Sequence, residues 1–175
     1  MKNRGLTLIE FIVAMVMGGI ILLALTCQFV AEHTFRAMIN NQIAATNDAS
    51  IAMRHMTRVI RYARQSTVST TPAAGYNANI TATIDRAAAD ISLPEFTGAG
   101  YTADPVVIYG RKSDDTFEYT INNGTPYVIS NHIRTFSVTW DSAYKDLTIQ
   151  LTAQYPAQQG GRSSSLNTNI RVLGR

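Results

Sequence analysis

Between Leu6 and Cys27 the chain carries a single charge, Glu10, in a stretch otherwise apolar or small apart from Thr7 and Thr26. As a helix such a run reaches about 30 Å, enough to cross the hydrocarbon core of a bilayer. A carboxylate near its start is expensive in lipid, by at least a few kcal/mol, and marks a functional position by default. Lys2 and Arg4 stand just before the run, and the positive-inside rule keeps that end in the cytoplasm. The chain is therefore expected to be anchored with its bulk outside, and Glu10 needs a partner.

Three plain readings of this segment fit less well. A secretory signal would have a shorter apolar region, no glutamate and a small-x-small cleavage site. A lipoprotein signal at Cys27 would not place Leu25 and Thr26 where they stand. A simple membrane anchor for an enzyme leaves Glu10 unexplained.

The basic leader, Gly5, the string Leu6-Thr7-Leu8-Ile9-Glu10 and the long apolar helix together resemble the class III signal of type IV prepilins and type II secretion pseudopilins. The resemblance implies that a prepilin peptidase cuts between Gly5 and Leu6 and methylates the new amine of Leu6. It implies that Glu10 pairs with the N-terminal amine of a neighbouring subunit in a filament. The physics agrees, because a free α-amine titrates near about 8 and is largely cationic at neutral pH. Such an amine can neutralise a carboxylate that has lost its water. The partners implied are the peptidase, other pilin or pseudopilin subunits and the inner-membrane assembly platform. The location implied is the bacterial inner membrane, single-pass with a cytoplasmic N-terminus, followed by an extracellular pilus or a periplasmic pseudopilus.

Charge narrows the partners. The 15 Lys and Arg against 12 Asp and Glu give +3, and losing Lys2 and Arg4 leaves 13 against 12, or +1. That balance gives little reason to propose a nucleic-acid partner. Cys27 is the single cysteine and lies in the apolar run, so the exported part forms no internal disulfide. Many pilins close a C-terminal loop with one; here packing alone must hold the outer domain.

Beyond the run the helical pattern continues. Ala49, Ala52, Met53, Met56, Ile60 and Ala63 fall at spacings of three and four, with a basic row of Arg54, Arg58, Arg61 and Arg64 beside them. No proline or glycine interrupts Ile20 to Arg64. One helix from Leu6 to Arg64 is expected, about 90 Å long. The arginine row reads as a solvated face, or as a surface that pairs with acidic groups of adjacent subunits.

From Ser66 the chain turns β-branched and loose, with short strands expected at Ile80 to Ile84 and Ile91 to Leu93. Clearer strands follow at Val106 to Tyr109, Phe117 to Ile121, Tyr127 to Ile129, Phe136 to Trp140, Leu147 to Ala153 and Leu166 to Val172. Asn123-Gly124 is expected to turn tightly, and Gln158 to Arg162 to form a loop. The fold class expected is α+β, a long N-terminal helix packed on a C-terminal antiparallel sheet. The divisions are 1–5 leader, 6–28 membrane or filament-core helix, 29–65 amphipathic spine and 66–175 β domain.

Nothing points to catalysis or to a cofactor. His33, His55 and His132 lack metal-ligand spacing, and His33 and His55 are expected on the helix surface. No nucleophile elbow or phosphate-binding loop occurs. Asp114-Asp115 reads as a turn with too few oxygen ligands for calcium. Asn79 and Asn123 match a glycosylation pattern by letters only. The function expected is a filament subunit, minor or priming, because the outer domain is unstapled, large and irregular. The basic helix end around Met53 to Arg64, the long β-rich domain without cysteines and the closing Leu166-Asn167-Thr168-Asn169-Ile170-Arg171 string resemble the larger minor pilins of the W group and the J-type pseudopilins. The alternatives are a major pilin, or a filament-tip binding module such as an adhesin or DNA-uptake subunit.

Overall fold

The computed structural model describes residues 7–85, 104–155 and 163–173. It divides into two compact units, 1–40 and 41–175, with the boundary inside one helix, α1 (Leu8–Ile60). In the first unit the apolar side chains of α1 face outward all round, from Leu8 to Phe35. Such a surface has no place in water, and among the described residues α1 alone is long and apolar enough to cross a membrane.

In the second unit α1 becomes amphipathic. Ala45, Ala49, Ala52, Met53, Met56, Val59 and Ile60 are buried at helical spacing. The first three are alanines, each fully buried. The helix ends at Ile60, four residues short of Arg64. Tyr62 and Ala63 close tight turns onto Val59 and Ile60, and the Arg64 amide donates instead to the Thr83 carbonyl. Sheet pairing takes over the backbone there, as the isolated bridge between Ala63 and Ile84 shows. Periodicity could not see this, because Ala63 keeps its core position after the helix has stopped.

A short 3₁₀ turn, Gln65–Thr67, follows, and then, among the described residues, seven strands: β1 (Ala78–Thr83), β2 (Val106–Arg111), β3 (Phe117–Ile121), β4 (Tyr127–Ser130), β5 (Ile133–Asp141), β6 (Asp146–Gln154) and β7 (Ser163–Arg171). All pairings are antiparallel. The fold is α+β as expected, but the strands form two sheets, β1-β2-β3-β4 and β5-β6-β7, where one was expected. The break falls after Ser130, where the chain leaves β4 and starts a new ladder at Ile133. A T-shaped contact of Phe117 with Phe136, centroids 5.0 Å apart, joins the two sheets across the core.

Alternation fixes which faces are inside. In β6, Leu147, Ile149, Leu151 and Ala153 are buried and the residues between them are not. β3 departs from this, since all five of its residues are buried. Phe117, Tyr119 and Ile121 join the core, while Glu118 and Thr120 lie on the other face. That face is covered by Tyr76, whose ring packs on Gly110, the residue paired with Glu118. A Cβ on Gly110 would stand 2.3 Å from the Tyr76 ring, so the cover requires glycine there.

The β3–β4 turn sits one residue earlier than expected. Asn122 and Asn123 take the positive φ values, 51° and 56°, and the Gly124 amide donates to the Ile121 carbonyl. Two asparagines tolerate the left-handed region well enough to occupy both central positions. The strand expected at 91–93 and the loop at 158–162 lie outside the described residues.

Candidate functional site

The site suggested by the sequence is the start of α1. Gly5 and Leu6 lie outside the described residues, and Glu10 falls in the first turn of the helix. The Thr7 hydroxyl accepts the Glu10 amide at 3.4 Å, and the Glu10 carboxylate accepts the Thr7 amide at 2.8 Å. The Thr7 hydroxyl also donates to the same carboxylate oxygen at 2.9 Å. This reciprocal pair is a capping box, with Thr7 as N-cap and Glu10 three residues on. It satisfies amides that the first turn would otherwise leave open, and it puts a negative charge at the positive end of the helix dipole.

Glu10 therefore has a partner within its own chain, Thr7, besides any it meets elsewhere. Sequence reading singled out Glu10 and passed over Thr7. The signal was present, since Thr-x-x-Glu directly before an apolar run is the written form of the capping box.

A second polar group ties α1 to the β4–β5 junction. Asp48 of α1 accepts the Ser130 hydroxyl at 3.0 Å and faces Nδ1 of His132 at 3.1 Å. Ser130 in turn accepts the His132 backbone amide, and the His132 ring stacks on Tyr155 at 4.1 Å. Burial, and then the charge of Asp48, push the Tyr155 phenol up. Serine, histidine and aspartate meet here, yet the imidazole does not stand between the hydroxyl and the carboxylate as a proton relay needs. The arrangement acts as a clamp between helix and sheet.

The other sequence candidates fall elsewhere. His33 is exposed, as expected, but His55 is not a plain surface residue. It meets the buried Tyr109 hydroxyl at 2.8 Å and packs beside Tyr119, because β2 and β3 come under that side of α1. Asp115 sits in the β2–β3 turn at φ 65°, and its carboxylate is taken up by Arg111 and Arg134. The Thr116 amide and hydroxyl hold the neighbouring Asp114 carboxyl below the usual range. Asn79 is buried and bonded to Ala73 and Thr81, whereas Asn123 is exposed in its turn. Among the described residues no three His, Cys, Asp or Glu side chains gather as metal ligands.

The buried Glu118 is the other feature that sequence reading missed. Its Oε1 accepts the Tyr76 hydroxyl at 2.9 Å and pairs with Lys112 at 2.8 Å. Burial and this contact push the Tyr76 phenol up to about 12. No local pattern announces it, because Tyr76 and Glu118 stand 42 residues apart.

Comparison with known families agrees with the helix start. Residues 1–26 match the model described as the prokaryotic N-terminal methylation motif. That motif and the long apolar helix behind it fit a type IV pilin or pseudopilin, a membrane-anchored subunit processed by prepilin peptidase and assembled with others of its kind. Neither the curated proteins nor the solved structures give a match to the chain.

Proposed function

We propose that the chain is a minor or priming subunit of a type IV pilus or a type II secretion pseudopilus, similar to the W-group minor pilins or J-type pseudopilins. The observation that supports a pilin-like subunit is the coincidence of the methylation motif with a helix whose whole first half turns apolar side chains outward. A surface of that kind is stable only in lipid or against copies of itself and its relatives. The rest of the chain folds without a disulfide, since Cys27 is the single cysteine and lies on the apolar half-helix.

In this reading the peptidase cuts between Gly5 and Leu6, Leu6 is N-methylated, and Glu10 pairs with the amine of a neighbouring Leu6 in the filament. Before assembly the capping box holds the carboxylate near the cytoplasmic interface. The protein crosses the inner membrane once, with the basic leader inside. It is non-catalytic, and the Asp48–Ser130–His132 group supports this by its clamp geometry.

Mass spectrometry of the protein from sheared filaments tests the reading. The expected first residue is Leu6, carrying one methyl on its amine. An intact Met1 end in assembled material, or a chain beginning at Cys27, would overturn it. Copy number in the same filaments separates a minor subunit from a major pilin.

A further inference from the structure

Arg54, Arg58 and Arg61 follow one another at spacings of four and three along the second half of α1 and its exit. They line one open groove of about 410 Å³, whose lining includes Thr57 and the apolar Met53 and Leu166 of β7. The helix dipole accounts for Arg58 in the last turn, but its effect fades before Arg54. Arg54 and Arg58 stand four apart on the helix, where like charges oppose each other. Among the described residues neither Arg54 nor Arg61 has an ion-pair partner.

We propose that this groove receives an acidic amphipathic segment of a neighbouring subunit of different sequence, and so selects which subunit stands beside this one. The proposal rests on the filament reading above. Apolar helix surfaces attract without direction and pack against many others. Charges at the rim of a contact set specificity and encounter rate more than total affinity. Guanidinium groups match carboxylates in planar, bidentate pairs. The half-buried Leu166 gives the partner's apolar side chains a seat, which a bare phosphodiester backbone would not use.

The partner is not a second copy using the same helix. Within α1 the acidic residues are Glu10, Glu32 and Asp48. Thr7 engages the first, Arg36 the second, and Ser130 with His132 the third. A copy of α1 thus offers no spare row of carboxylates to the arginines.

The test uses the full chain in neutral detergent micelles. The probe is a synthetic amphipathic peptide with glutamate at i, i+4 and i+7 and leucine on the opposite face, read by fluorescence anisotropy. The glutamate peptide should bind, and weaken as salt is raised. Its glutamine counterpart should bind roughly tenfold more weakly. The Arg54→Gln/Arg61→Gln double variant should lose the preference, and Arg54→Lys/Arg61→Lys should keep part of it. Equal affinity for the two peptides on the unaltered chain overturns the proposal, whatever the variants do. Displacement of the glutamate peptide by a single-stranded oligonucleotide also overturns it.

Sheared filaments from cells separate the two levels of inference. Wild type present and the glutamine double variant depleted supports the groove. Wild type absent sinks the filament reading, while the peptide result stands on its own. Equal incorporation of both forms, without a peptide preference, sinks the groove alone.

Discussion

At Glu10 the carboxylate caps the helix start, and in the proposed reading it also pairs with a neighbouring amine; substitutions can separate the two. Glutamine at that position keeps an oxygen for the Thr7 amide, so the cap survives while the charge is lost. Valine removes both. If pairing with an amine drives assembly, Glu10→Gln and Glu10→Val should both insert and be cleaved, and both should accumulate in the membrane fraction rather than in sheared filaments. If capping alone matters, Glu10→Gln assembles like wild type and only Glu10→Val fails. Thr7→Ala should weaken the helix start by about 1 kcal/mol, seen as faster amide exchange in the first turn.

The Tyr76 cover offers a second residue-scale test. Gly110→Ala must displace the tyrosine ring, costing about 1–3 kcal/mol in chemical denaturation. The phenol then returns toward its ordinary value of 10.0. In the intact protein its folded value, about 12, lies above the unfolded one. That contribution to stability is therefore complete below pH 10.0 and is lost as pH rises through about 12. Absorbance titration near the phenolate band should show one late tyrosine fewer in Gly110→Ala than in wild type, Tyr155 remaining raised in both; an equal number would refute the assignment.

At the scale of elements, α1 is held to the sheets by alanine-faced packing and by the Asp48 clamp. Asp48→Ala strands the Ser130 hydroxyl and the His132 ring, at a cost of about 1–3 kcal/mol. Asp48→Asn keeps an acceptor and should lose less. Comparable unfolding midpoints for wild type and Asp48→Ala would show that the clamp contributes nothing. Leu151→Ala in β6 serves as a reference for the core, at about 2–5 kcal/mol, since its side chain is fully buried.

The elements also show where local patterns succeed. β6 alternates so cleanly in Leu147, Ile149, Leu151 and Ala153 that its buried face could be assigned without a structure. β3 could not be assigned that way. Glu118 and Thr120 look like its solvent side until Tyr76 is placed over them.

For the whole molecule, the decisive contrast lies between an apolar half-helix open on all sides and a unit with its own core of helix and sheet residues. A fragment beginning near Phe29 should be soluble and monomeric, because it lacks most of the surface that polymerises. Its circular dichroism should show helix and strand together. An unfolded spectrum would mean that residues 41–175 need neighbouring subunits to complete their core.

The sequence by itself determined the membrane-length helix, the N-terminal methylation motif, the prominence of Glu10 and the alternating strands. These are matters of composition and short-range periodicity, legible wherever a pattern repeats over one or two turns or along one strand. Only the tertiary structure decided that the strands part into two sheets, that His55 lies against Tyr109, that Glu118 is buried beneath Tyr76, and that three arginines share a groove with Leu166. Each joins residues tens to more than a hundred positions apart. What brings them together is how helix and sheets share one core, and no local window of the chain contains that.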